Sequence, residues 1–316
     1  MSGWYQGFSE EIALMKTSAP WLWFQLQEIF CLSLRLAAIP FFVREFYAKH
    51  KVTIINYHDP SPELFAKHTE FYVRHYSIIS MDQLINALTG DEWSTLPAKS
   101  LVITLDDGHS GNARLFSIIR SYRIPVVIYA TPGLINTRRR FWFRIPGLES
   151  CNLTFLKSVE DDARRRILEK DYGHTDEREY EDRTVLSRNE VSEFLEIGGV
   201  LGSHTLTHPI LTSCKEKTVR SELRESKRVL ERDYGISIKH FAYPGGSWNG
   251  QIATMVEHAG FISARTIDPG WVTTKSNPFA LPNFGISDNA RINKAVVQAS
   301  GVWDMLKRLF YILFRV

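Results

Sequence analysis

Leu101-Val102-Ile103-Thr104-Leu105-Asp106-Asp107-Gly108-His109 constrains this chain more than any other stretch. Its apolar, β-branched run reads as a strand buried on both faces. The run stops at two adjacent carboxylates, a glycine and a histidine. In α/β sheets and barrels, polar residues at the C-terminal end of a strand sit where active sites are built. Neighbouring strand residues point to opposite sides, so Asp106 and Asp107 need a twist to face one cleft. Gly108 permits it, because glycine takes positive φ without steric cost. On this stretch alone, a second account is equally good: either aspartate caps a helix that begins near Asn112.

Gly202-Ser203-His204-Thr205-Leu206-Thr207-His208-Pro209 tips the balance. It follows the short apolar segment Gly199-Val200-Leu201. Two histidines four apart share one face of a helical turn and can address one ion. Zinc and similar cations accept imidazole and carboxylate together. Asp107, His204 and His208 therefore form a candidate three-ligand site that leaves a coordination position open.

These residues resemble the polysaccharide deacetylases related to the rhizobial chitooligosaccharide deacetylase, carbohydrate esterase family four. Leu101 to Gly108 matches the family's (T/S)-(F/L)-D-D-G motif, and Ser203 to His208 its H-(S/T)-x-x-H motif. Phe241-Ala242-Tyr243-Pro244-Gly245-Gly246 resembles the third motif in its F-A-Y-P-x-G form. Asp268 to Trp271, with Phe279 to Pro282, resembles the later strand and its loop, and Val52 to His58 the opening "Y-H" strand. The resemblance covers roughly residues 51 to 290. It implies an α/β fold, an incomplete or distorted (β/α)7-type barrel, and hydrolysis of an N-acyl group, chiefly N-acetyl, on a sugar. It implies a divalent metal, expected to be Zn2+, held by Asp107, His204 and His208, with Asp106 as the catalytic base. Tyr243, Pro244 and Gly245 are expected at the substrate, with a backbone N–H near Gly245 facing the oxyanion. Trp271 either packs on the sugar or belongs to the core.

The chain departs from the family at three places. Where relatives carry an arginine at the start of the third motif, this chain has Ala242; after Leu-Pro in the later strand it has Asn283. Arg265 is a candidate substitute. No histidine follows His258, so the family's late Leu-x-His has no counterpart. His109 is either a site residue or a structural histidine. A catalytically impaired glycan-binding relative is the alternative that these departures favour; the complete Asp106, Asp107, His204 and His208 set favours an enzyme.

A chain of 316 residues with 44% hydrophobic and 23% charged residues is globular. A net charge of +3 gives no reason to expect nucleic acid. Cys31, Cys151 and Cys214 are scattered and odd in number, which excludes a disulfide framework. Three parts follow: an N-terminal apolar segment (1–50), a catalytic domain (51–300) with an insertion at about 137–186, and a C-terminal amphipathic basic helix (301–316).

Strand signals at Val52 to Tyr57 and Pro125 to Tyr129 alternate with helices, as in parallel sheets with right-handed crossovers. Ser61-Pro62 starts one helix. Ser80 with Gln83, and Ser187 with Glu190, form capping boxes. Val219, Leu223, Ser226, Leu230 and Tyr234 line another helix.

In the insertion, Arg138 to Arg144 is basic and aromatic. It is either a solvated face or a recognition site for an anionic group such as a lipid phosphate. Trp21 to Val43 is rich in aromatic residues and is interrupted by Gln25, Gln27, Glu28 and Arg35, with a break at Pro40. It lies in a membrane interface or docks on the domain, with a true membrane span as the third account, since a clean span needs about 20 mostly apolar residues. Trp303 to Val316 is apolar except for a wedge of Asp304, Lys307, Arg308, Tyr311 and Arg315, the pattern of an interfacial helix or of one buried on residues 21 to 43. Glu10 and Glu11, with Lys16, do not make a secretory signal. The expectation is a cytoplasmic protein on the inner membrane face, acting on an N-acylated sugar or a lipid-linked glycan.

Overall fold

The computed structural model describes residues 20–314. Glu10, Glu11, Lys16 and Arg315, on which parts of the location argument rest, lie outside the described residues. Eight strands form one sheet: β1 (Thr53–Tyr57), β2 (Ser77–Ile78), β3 (Ser100–Asp107), β4 (Val126–Ala130), β5 (Val200–Ser203), β6 (His240–Ala242), β7 (Ser263–Pro269) and β8 (Leu281–Gly285). The spatial order is β1-β8-β7-β6-β5-β4-β3-β2, and β1 also pairs with β3. All strand pairings are parallel. The β1–β3 ladder, Thr53 with Leu101 through Tyr57 with Leu105, closes a ring of seven strands and leaves β2 outside it. The expected seven-stranded barrel is thus present, one strand short of the eight of a (β/α)8 barrel.

The sequence explains the closure. Strand side chains alternate between the bore and the surrounding helices. Ile54, Val102, Val127, Tyr129, Ala242 and Leu281 form one buried cluster with Met81, Leu84 and Ile85 of the Met81–Thr89 helix, which caps the N-terminal end of the bore. The other strand residues, among them Ile55, Ile103, Leu105, Ile128 and Phe241, pack on the outer helices. The capping boxes form as the spacing predicts. Ser80 and Gln83 exchange hydrogen bonds, as do Ser187 and Glu190.

Two local expectations are corrected. Pro40 does not break the first helix. The Pro20–Leu36 helix ends before Ala38, which takes φ of 56°, and Pro40 sits in the first turn of the next short helix, Ile39–Phe42, where its missing N–H costs nothing. His204 and His208 do not share a helical turn. The segment after β5 is a loop with Thr205 and His208 both at φ of 66°. Two left-handed residues within four cannot propagate a right-handed helix.

Candidate metal and catalytic site

The site is built at the C-terminal ends of the strands. β3 brings Asp106 and Asp107, β1 Asn56, β7 Arg265, β8 Asn283, and the loop after β5 His204 and His208. Neither aspartate caps the helical turn at Ser110–Leu115, whose N-cap is His109. Asp107 takes φ of 70° and Gly108 68°, so the twist expected of the glycine is shared with the aspartate before it. That turn carries the Asp107 carboxylate to the histidines.

His204 and His208 place Nε2 at 3.5 and 3.2 Å from Asp107 Oδ1, and all three side chains are buried. Their ligand atoms lie within 4.8 Å of one another. His204 Nδ1 donates to the Ala242 carbonyl at 2.7 Å, which fixes the tautomer. Burial, then repulsion from His208, lowers the His204 pKa to about 4, so the ring is neutral near pH 7. Its Nε2 lone pair therefore faces a carboxylate oxygen. Two buried acceptors aimed at each other repel unless a cation stands between them. Imidazole and carboxylate donors suit a divalent transition ion, so the residues fit the metal that the resemblance implies.

Asp106 faces a different set of partners. Arg265 Nη2 donates to both of its oxygens, and the Asn56 amide reaches Oδ2 at 3.4 Å. Asn283 donates to Asn56 Oδ1 at 2.8 Å. Arg265 itself is buried, donates to the Thr266 carbonyl at 3.0 Å and lies over the Tyr129 ring at 5.3 Å. Burial pushes the Asp106 carboxyl up, but the Arg265 guanidinium, joined by His204 and His58, outweighs it and holds the pKa below the ordinary carboxylate value. Asp107 is held well below that value, because contacts with His109 and His208 overcome its burial.

His109 Nε2 lies 3.0 Å from Asp107 Oδ2, so this buried ring stands beside the ligand set. Phe141 and Phe143, from the insertion, pack on His208 at 5.3 and 4.9 Å between ring centroids. Phe141 also meets His109 edge-on. Between the two phenylalanines, Trp142 Nε1 donates to the His208 carbonyl at 3.0 Å. The basic-aromatic run thus acts here through its aromatic residues. Two of its arginines are engaged elsewhere: Arg139 lies 3.6 Å from Glu179, and Arg140 is bonded to Asp182. This favours the solvated-face account of those charges over a free anion clamp.

Sequence reasoning missed Glu222. Its carboxylate accepts from the backbone N–H groups of Leu206 and Thr207 at 2.8 and 2.9 Å and from the Thr207 hydroxyl at 2.8 Å. It thereby fastens the loop between the two histidines to the Glu216–Tyr234 helix. The signal was available. Glu222 falls within the apolar stripe of Val219, Leu223, Ser226 and Leu230, where an acid is out of place unless it has partners.

The third motif is only partly oriented toward the cleft. Tyr243 is buried, with its hydroxyl on the Phe279 carbonyl at 2.9 Å and its N–H on the Arg265 carbonyl at 3.1 Å. Pro244 is buried as well. Gly245 takes φ of 58° in the open space beside them. Trp271 is not brought to the site. It packs edge-on against Tyr47 and Phe284, next to the Val272 backbone bridge to Val52 below the start of β1, at the opposite end of the barrel.

The polysaccharide deacetylase family model matches residues 94–263. With the barrel and this site, the match is decisive: the chain belongs to the polysaccharide deacetylase family. Among curated relatives, it is 27% identical over 128 residues to the poly-β-1,6-N-acetyl-D-glucosamine N-deacetylase of Staphylococcus aureus, covering 37% of this chain and 44% of that protein. It is 29% identical over 90 residues to the chitooligosaccharide deacetylase of Sinorhizobium fredii, covering 28% of this chain and 40% of that one. The matches therefore span less than half of each curated relative. Among solved structures, the Streptococcus pyogenes deacetylase PplD, in complex with acetate, superposes with a TM-score of 0.58 at 18% identity, over 79% of this chain and 98% of that chain. At that identity the likeness is one of fold.

Proposed function

We propose that this protein hydrolyses the N-acetyl group of an N-acetylated amino sugar within a glycan. Asp107, His204 and His208 would hold a divalent cation, and the mixed nitrogen and oxygen donor set favours zinc. When bound, that ion supplies Lewis acidity at the amide carbonyl. Asp106 takes the proton of the attacking water. Arg265 keeps Asp106 ionised and fixes its orientation, with Asn56 and Asn283 behind it. Phe141 and Phe143 exclude water from the His208 side. The amide C–N bond breaks, acetate departs, and the amine of the sugar takes up a proton.

The observation that supports this reading best is the division of labour between adjacent carboxylates. Asp107 faces three imidazoles, those of His204, His208 and His109, while Asp106 faces a guanidinium. An impaired binding protein is the weaker reading: of its two grounds, the alanine at position 242 is offset by Arg265, which supplies a cation to Asp106, and the missing late Leu-x-His alone remains. The curated relatives' names point to polymers of N-acetylglucosamine as the substrate class. The test is acetate release from chitooligosaccharides and from poly-β-1,6-N-acetylglucosamine by metal-depleted enzyme before and after zinc is restored. Zinc-dependent release supports the proposal; no release from either polymer with one equivalent of zinc bound overturns it.

A further inference from the structure

The Pro20–Leu36 helix is inside out. Its polar residues face the protein. Gln25 accepts from Arg291 at 3.1 Å, Gln27 from Lys294 at 2.9 Å, and Glu28 from the Asn293 amide at 2.8 Å, while Arg35 donates to Asn293. All these partners belong to the Ile292–Ala299 helix or its N-cap, Arg291. Apart from Cys31 and Leu34, which are buried, its apolar face points outward: Trp21 is 72% exposed, Ile29 62% and Leu36 79%, with Leu22, Leu26 and Phe30 also exposed. A surface helix in water has the opposite arrangement.

The apolar face continues beyond this helix. Phe41, Phe42, Phe46 and Tyr47 are exposed, and Phe42 stacks on Phe46. Cys31, Leu34 and Val43 share a small core with Val302 and Leu306 of the Val302–Phe314 helix. That helix turns Leu309, Phe310, Ile312 and Leu313 outward beside them. Exposed apolar surface on this scale marks an interaction site.

Charge decides between a lipid and a second copy of the chain. In these segments, among the described residues, Arg308 is the one charged side chain in the exposed class. The acids are occupied: Glu28 by Asn293, Glu45 by Arg44 and Lys99, and Asp304 by Lys307. The same face of a second copy, packed against this one, offers Arg308 no exposed acid, whereas an anionic bilayer offers it negative headgroups. No single helix among the described residues is long and apolar enough to cross a membrane; Trp21–Leu36 and Ile39–Tyr47 reach that length and apolarity only as a pair, bent by 59° at the break between them. Short, bent, aromatic-rich segments suit the headgroup boundary, where aromatic rings prefer to lie. We propose that residues 20–47 and the Val302–Phe314 helix together form a docking face for an anionic phospholipid bilayer. This goes beyond the deacetylase reading and does not depend on it.

The test is flotation of the purified full chain with vesicles of phosphatidylcholine, with and without phosphatidylglycerol. The full chain is expected to float with both and to prefer the anionic vesicles. Arg308→Gln should weaken binding to the anionic vesicles about fivefold, as one basic residue near a charged surface contributes about 1 kcal/mol. The pair Leu26→Asp with Ile29→Asp should abolish flotation while leaving the far-ultraviolet circular dichroism spectrum and its cooperative thermal transition intact, which shows that the barrel is folded. Quenching of tryptophan fluorescence by brominated phosphatidylcholine, reduced in Trp21→Phe, should separate insertion from aggregation on the vesicle surface. A full chain that stays in the soluble fraction overturns the proposal. So does a full chain that forms a concentration-dependent dimer, dispersed by the Leu26 and Ile29 changes, without floating.

Discussion

Asp106 and Asp107 are neighbours on β3, yet their carboxylates serve two separate sets of partners. Asp107 takes φ of 70°, which turns its carboxylate to His204 and His208, while Asp106 stays in the bore against Arg265. In a regular strand the two would point to opposite faces of the sheet. The left-handed residue is unfavourable for a non-glycine side chain, and such strain gathers at functional sites.

Arg265→Met tests the partner of the base. Arg265 is the strongest of the groups that offset burial and keep Asp106 ionised, ahead of His204 and His58. Removing it tips the balance toward burial, which raises a carboxyl pKa. A base must be ionised to act, so the acid limb of kcat/KM should move to higher pH, by about one to three units. Metal stoichiometry should stay at one. A profile that falls in amplitude without moving would reduce Arg265 to a packing role.

Asp106→Asn should retain the metal and lose about 10² to 10⁴ in kcat. The two quantities are read by metal analysis and by acetate release on the same preparation. Near-normal turnover would remove Asp106 from the chemistry.

His204→Ala and His208→Ala should each lose metal and activity together while the far-ultraviolet circular dichroism is unchanged. Both residues lie in a loop after β5, and the one sheet bond involved, from the His204 backbone N–H to the Ala130 carbonyl at 2.9 Å, does not use the side chain. A double variant that still binds one equivalent tightly would exclude this ligand set.

Glu222→Ala should lower metal affinity about 10- to 100-fold without touching a ligand, the usual effect of removing a group that orients ligands. It frees Leu206 and Thr207, and with them the spacing between His204 and His208. Titration with a chromophoric chelator gives the affinity. Unchanged affinity would show that Thr205, which accepts from the His208 N–H at 3.0 Å, suffices to set the loop.

Asp82 gives a test of stability against pH. Contact with His240, 3.4 Å away, together with Lys239, lowers its pKa from 3.8 to about 2. A depressed carboxyl stabilises the fold above its unfolded pKa and loses that contribution as pH falls through the folded value. Asp82→Asn should therefore lower Tm at pH 7, and the difference from wild type should shrink between about pH 4 and pH 2. A Tm gap independent of pH would assign the effect to packing.

The grouping of Asp107 with His204 and His208 was legible because each piece is local: a strand that ends in Asp-Asp-Gly, and a histidine pair that follows another strand. Arg265 and Glu222 act across 159 and 15 or more residues of sequence, through contacts that only the closed barrel creates. The spacing of His204 and His208 misled in one respect. A four-residue interval fits a helical turn, but it also fits a loop whose ends are pinned by Thr205 and Glu222. Trp271 shows the limit of likeness by order along the chain. It follows β7 as the resemblance requires, yet the segment folds back to bridge Val52 and carries the ring away from the cleft.

Arg265 and Ala242 are register partners on adjacent parallel strands. A barrel is a cylinder, and a group aimed at its axis is located by height and azimuth. Reading column by column along the chain counts Ala242 as a deletion of function. Reading around the cylinder finds the cation one strand over at the same height, with the base still within reach. Relatives set aside as inactive because a motif column holds a small residue should therefore be sorted again by barrel coordinates, with the neighbouring strand searched before any loss is inferred.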